Sequence, residues 1–188
     1  RLDALASYEV LDTASEQGFD DLTTLIAQVC ETPIALVSLV DATRQWFKSR
    51  VGLEAQQTSR EIAFCHHAIR QRDTMIVADT QQDDRFRSNP LVTGDPNIRF
   101  YAGAPLIDNQ GHALGTLCVI DRTPRELSST QIDTLTLLSR QVVRLLELRR
   151  SHTHLADCLK RIRGIAEMIP MCSHCHSVRD SKDEWQRV

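Results

Sequence analysis

Chemistry in this chain of 188 residues concentrates at its cysteines and histidines. Cys172, Cys175 and His176 form a C-x-x-C-H string inside IPMCSHCHSVRD. That spacing admits three chemistries: attachment of a c-type haem, a redox-active thiol pair, or half of a tetrahedral zinc site. Haem attachment calls for export and an apolar surround, whereas no export signal is visible and the following SVRDSKDEWQRV is largely charged. A redox pair is activated at a helix N-terminus, and Pro170 places these cysteines after a helix end, at the wrong pole of the dipole. A redox pair is thus possible but not favoured, and half of a zinc site stays open, with Cys172, Cys175 and His176 as candidate ligands and further ligands needed from elsewhere. His174 and His176 lie too close in sequence to complete one knuckle comfortably.

A second cluster is Cys65–His66–His67 in FCHHAI. One reading is a polar group at a pocket mouth, with a histidine ligating haem or a metal. The other turns Cys65 into the core while one histidine hydrogen-bonds a neighbouring strand. Adjacent helical histidines project about 100° apart, so both cannot easily ligate one metal, which favours the second. Arg99 and Tyr101 alternate with Phe100 and Ala102 and therefore share a strand face. If that face is a pocket wall, Arg99 would meet a carboxylate or phosphate; periodicity alone does not say which face is wet. Trp46 reads as core or dimer surface. No Ser/His/Asp order, phosphate-cradling glycine loop or paired carboxylates stand out, and Asp83–Asp84 reads as a solvated loop.

The elements that must position these residues follow from periodicity. SEQGFDDLTTLIAQVC places Phe19, Leu22, Leu25, Ile26 and Val29 at helical spacing, ending before Pro33. Ile34–Val40 and Gln45–Val51 read as a hairpin across a polar DATR turn. A short helix with Ser59 near its cap carries Cys65, TMIVAD is a third strand, and TQQDDRFRSNPLVTGDPN is a long loop with one helical turn. IRFYAGAPLI and HALGTLCVID form a second hairpin. Ser128 and Gln131 then make a capping box before a long helix. Its apolar stripe shifts by a step of three near Arg149–His154, and its second half has no neighbouring domain in the sequence, so a parallel homodimeric coiled coil is expected. Consecutive hairpins with flanking helices make the fold class α+β.

Bulk properties narrow the function. Net charge is −3, which gives no electrostatic case for nucleic acid or an anionic membrane surface, and no apolar run approaches the ~18 residues of a membrane span. Six cysteines, four of them scattered singly, suit a reducing compartment, so a cytoplasmic location is expected. The chain opens on Arg1 and closes on DEWQRV, which suggests a piece of a longer protein.

The blocks LDTASEQGFDDLTTLIAQVCETPIALVSLVDATRQWFKSRVGL, FCHHAI and IVADTQQDDRFRSNPLVTGDPNIRFYAGAPLIDNQGHALGTLCVIDRTPRELSSTQ together resemble a GAF domain of bacterial sensory proteins. The resemblance implies an antiparallel sheet of about six strands flanked by helices, with a long C-terminal signalling helix. It also implies dimerisation through terminal helices and an output module such as a histidine kinase or diguanylate cyclase. A pocket between sheet and long loop would hold an unknown small ligand, with Cys65, His66, His67, Arg99 and Tyr101 as candidate pocket residues. The cyclic-nucleotide signature N-K-x-F-D-E is absent, and RSNPLVTGDPNIRFYAG lacks the cysteine that bilin-binding members use, so bilin as well as haem is disfavoured. IPMCSHCHSVRD…W resembles a segment that follows signalling domains, usually with a second C-P-x-C downstream; His176 stands where that segment usually has Lys. The expected organisation is thus 1–127 GAF domain, 128–168 long helix, and 169–188 the start of a truncated C-x-x-C, zinc-knuckle module. The expected function is a sensory and dimerisation domain of a signal-transduction protein, two-component or similar, and not itself an enzyme. The alternatives are a structural dimerisation domain, or a reductase of free methionine sulfoxide. The latter needs mutually reachable cysteines, and Cys30 and Cys118 read as core.

Overall fold

A computed structural model describes residues 1–168, 174, 177–179 and 185–186. Two compact units divide the chain, Arg1–Glu147 and Leu148–Val188.

The first unit is built on a six-stranded antiparallel sheet in the order β3-β2-β1-β6-β5-β4. Its elements are α1 (Leu2–Ala6), α2 (Gln17–Cys30), β1 (Ile34–Val40), β2 (Arg44–Val51), β3 (Gln57–Ser59), α3 (Phe64–Ala68), β4 (Met75–Val77), α4 (Pro90–Thr93), β5 (Phe100–Ile107) and β6 (Ala113–Asp121). The long helix α5 (Ser129–Met168) begins in this unit. Every residue of β1 is buried because the central strand is covered on both faces. One face packs Ala35, Val37, Leu39, Ala102, Leu117 and Val119 against α2 and the start of α5. The other packs Leu36, Phe47, Tyr101, Cys118 and Ile120 under α3, α4 and the loop between them.

Local chemistry explains the element ends. Helix α2 stops at Glu31, which adopts the left-handed conformation at φ 52, with Pro33 two residues on. Its buried face is Phe19, Thr23, Ile26, Ala27 and Cys30, so Leu25, expected in the stripe, stands 44% exposed outside it. Thr23 fits the buried face because its hydroxyl donates to the Phe19 carbonyl at 2.8 Å. The capping box forms: the Ser128 amide donates to Gln131 Oε1 at 2.9 Å, and the Gln131 amide donates to Ser128 Oγ at 3.3 Å.

Two features depart from the sequence reading. Ser59 ends the edge strand β3, paired with Arg44, and α3 starts only at Phe64. The β1–β2 register shifts at Val37/Ser38, which face Ser49 and Phe47, so Lys48 is the extra residue of a bulge. Its ammonium, fully buried, donates to Glu16 Oε1 (2.6 Å), the Ala14 carbonyl (2.7 Å) and Thr13 Oγ1 (2.9 Å), and lies 5.4 Å over the Phe19 ring. The segment before α2 is thereby tied to the sheet. Leu5, Tyr8 and Val10 join the core, and the Tyr8 hydroxyl donates to Glu147 at 2.6 Å.

In the second unit, α5 presents Leu148, Leu155, Leu159 and Ile162 to solvent, Leu148 at 67% and Ile162 at 61%. A short ribbon pairs β7 (Val178–Arg179) with β8 (Trp185–Gln186). No helix among the described residues is long and apolar enough to cross a membrane.

Candidate functional site

The layer beneath α3 and α4 gathers the sequence candidates selectively. Cys65 on α3 faces inward, and its Sγ lies 3.9 Å from Cys118 Sγ on β6, with both residues buried. Tyr101 on β5 is fully buried and donates its hydroxyl to Cys65 Sγ at 3.5 Å. Gly103 sits opposite Cys118 in the β5–β6 ladder, and its missing side chain leaves the space that the Tyr101 ring occupies. Phe64 stacks on Phe86 (4.2 Å between centroids) and on Tyr101 (5.2 Å), while His67 meets Phe86 edge-on at 5.0 Å. Around the sulfurs lie Ser38 and Thr116, cross-strand partners whose side chains are buried.

Burial pushes the Cys65 thiol up, but polar hydrogens of Cys118, Thr116, Tyr101 and Ser38 outweigh it and hold the thiol below its ordinary range. The Thr116 hydroxyl has no well-formed hydrogen bond of its own and acts through proximity. Cys118 moves the opposite way, raised by its hydrogen bond to Cys65 and by burial. Tyr101 is likewise pushed up by burial and by the two thiols, and stays a donor.

The other candidates are placed elsewhere. His66 is half-buried between two guanidiniums, Arg60 Nε at 2.9 Å from Nδ1 and Arg70 at 2.8 Å from Nε2. A neutral imidazole has one acceptor nitrogen, so only one arginine is truly bonded. Burial, then Arg70 and Arg60, lower the His66 pKa; burial and Arg70 lower that of His67. Arg99, just before β5, is held by both Asp79 oxygens at 3.0 and 3.1 Å and does not join Tyr101 among the thiols. Cys172, Cys175 and His176 lie outside the described residues. Among the described residues, no group of three or more His, Cys, Asp or Glu is arranged to hold a metal ion.

Beside the thiol pair, an apolar cavity of about 130 Å³ is lined by Leu36, Phe47, Leu53, Leu91, Ile98 and Ile120, with Gln45 and Thr58 supplying polar atoms. Thr58 Oγ1 is buried there with no hydrogen-bond partner. A larger cleft of about 490 Å³ lies between Arg72–Thr74, β5 and the start of α5. It is more polar, and no buried polar atom among its lining residues is left wanting a partner, so the smaller cavity is the better candidate for ligand binding.

A family model for the GAF domain matches residues 15–146. The chain belongs to the GAF family. A cyclic di-GMP phosphodiesterase of Pseudomonas aeruginosa is 41% identical over 149 residues, 79% of this chain. The chain spans about a quarter of that relative's length. Among solved structures, the GAF domain of an Acinetobacter phosphoenolpyruvate-protein phosphotransferase aligns with a TM-score of 0.59 at 18% identity, covering 82% of this chain and 94% of that one. The blue-light absorbing form of the Thermosynechococcus elongatus PixJ GAF domain aligns at 0.60 with 12% identity, covering 86% and 97%. These two likenesses concern the fold.

The sequence reading groups Cys65 with Tyr101 as candidate pocket residues and reads Cys118 only as core. The available signal was strand alternation: Cys118 sits two residues from Ile120 and from Thr116, and all three share the inner face.

Proposed function

We propose that this GAF domain is the sensory module of a larger cytoplasmic signalling protein, holding a small, mostly apolar ligand in the inner cavity and passing its state through α5 to an output module. The observation that carries the reading is the apolar cavity with one orphaned hydroxyl, Thr58 Oγ1. A buried hydroxyl without a partner costs about 1–3 kcal/mol, which a ligand oxygen at that point would recover. The likeness to a much longer phosphodiesterase supports a regulatory role beside a catalytic partner domain.

1-Butanol is a suitable probe, since its chain fits an apolar cavity of this size and its hydroxyl can meet Thr58. Titration followed by amide NMR is expected to give saturable shifts at Leu36, Thr58, Leu91 and Ile120, weakened in Thr58→Val. Shifts that stay linear and small across the chain would sink the reading. The exposed Leu148, Leu155, Leu159 and Ile162 follow spacings of seven, four and three, a coiled-coil seam wanting a second copy, which supports homodimerisation through α5. Light scattering is expected to give twice the 21.3 kDa chain mass, falling to one chain in Leu155→Asp; a monomer in the unaltered chain would refute it.

A further inference from the structure

We infer that Cys65 and Cys118 form a reversible disulfide when the domain meets a hydroperoxide, so that the inner layer is an oxidant-responsive thiol switch. The inference deepens the sensory reading of the same face and rests on it only for its downstream consequence.

The geometry carries the pairing. A disulfide needs sulfurs about 2.05 Å apart, and these begin at 3.9 Å, so a shift of about 2 Å closes the bond. β6 is held in mid-sheet between β1 and β5, which leaves the five-residue α3, with no side-chain N-cap bond, as the element that moves. Tyr101 and the orphaned Thr116 hydroxyl supply polar hydrogens where charge on Cys65 develops. The buried position sets a slow entry for oxidant through local opening of α3, which costs far less than global unfolding.

The chemistry balances. The Cys65 thiolate attacks the near oxygen of the peroxide, the O–O bond breaks, and the departing oxygen leaves as water or an alcohol after taking a proton. Cys65 is now a sulfenic acid. The Cys118 sulfur attacks the Cys65 sulfur, the S–O bond breaks, water leaves, and the disulfide forms. Two thiols lose two electrons and two protons to one hydroperoxide, and a dithiol reductant returns them.

Closure has a path to the ligand cavity. Phe64, next to Cys65, stacks on Phe86, and the Asn89 side chain donates to the Ile62 carbonyl at 2.9 Å while capping α4 through Leu91. Leu91 lines the cavity. Drawing α3 toward β6 therefore pulls on the cavity wall, and oxidation is expected to change butanol affinity.

The test uses the whole unaltered chain. It is treated with hydrogen peroxide, unfolded in an alkylating agent, digested without reductant and read by mass spectrometry. A Cys65–Cys118 peptide pair lighter by two hydrogens is expected to rise from near zero to the majority of the chain and to vanish with dithiothreitol. In Cys118→Ser, Cys65 is expected to be trapped by dimedone as the sulfenic acid. Full alkylation of Cys65 and Cys118 after exposure that oxidises the exposed Cys158 would overturn the inference. Because the readout is taken on the unaltered chain, a variant that fails to fold does not decide it. Loss of the cross-link with butanol binding retained refutes the switch alone; saturable binding is the separate test of the sensory reading.

Discussion

Gly103→Ala is the most direct probe of how the thiol layer is packed. A Cβ at this position falls inside van der Waals contact of Tyr101 Oη and lies 2.7 and 2.9 Å from Cζ and Cε1. The ring has little room to yield, being fully buried and stacked 5.2 Å from Phe64. Overpacking of this kind costs about 1–3 kcal/mol. Displacing the hydroxyl from Cys65 adds about 0.5–1.5 kcal/mol. The expected loss is thus about 2–4 kcal/mol, a large share of the 5–15 kcal/mol typical of a domain. Tyr101→Phe alone gives up only the hydrogen bond, about 1 kcal/mol. The double variant removes the worst clash but leaves the Cζ and Cε1 contacts, so its loss is expected to fall below the sum of the two single losses. Urea denaturation read by circular dichroism gives all three values, provided the slopes agree. A Gly103→Ala domain within about 0.5 kcal/mol of the original, or strict additivity in the double variant, would refute the packing argument.

Two further outcomes follow from other parts of the first unit. Lys48→Ala strips the donor from Thr13, Ala14 and Glu16; because Glu16 keeps 39% of its side chain exposed, the loss is expected at about 2–3 kcal/mol, below that of a fully buried pair. Urea melts measure it, and limited proteolysis should show cleavage before α2 first; an unchanged midpoint would dismiss the clamp. His66 and His67 both titrate below the ordinary 6.5, by burial first and then by neighbouring arginines, so the unfolded chain binds more protons than the folded one as pH drops through 6.5. Their contribution is fully present above that value and lost on acidification toward the folded-state pKa values. Melting temperatures should fall over this window and fall less in His66→Gln; an identical profile in the variant would discard the guanidinium argument.

The readable part of the fold was the part set by local period. Helix α2, both hairpins and the capping box follow from spacing within a few residues, and the structure reproduces them. β3 escaped because Gln57–Ser59 is short, polar and largely exposed; only its pairing with β2 makes it a strand. The Lys48 bulge escaped because a one-residue offset between strands leaves no mark on either strand alone. The thiol pair joins residues 53 apart, so it depends on how α3 crosses β6, which no spacing rule encodes. Arg99 was placed on the same face as Tyr101, but the strand starts one residue later, and Asp79, twenty residues upstream, captures the guanidinium.

The Lys48 clamp also bears on where this module begins. The family match opens at residue 15, yet two of the three acceptors on the ammonium come from Thr13 and Ala14, and the core reaches back to Leu5. A chimeric receptor cut at the conventional boundary would inherit a buried cation with one acceptor left and a sheet face stripped of Leu5, Tyr8 and Val10. Grafts of this domain onto foreign outputs should therefore carry the whole leading segment, and those that omit it should report a damaged scaffold rather than a change in signal.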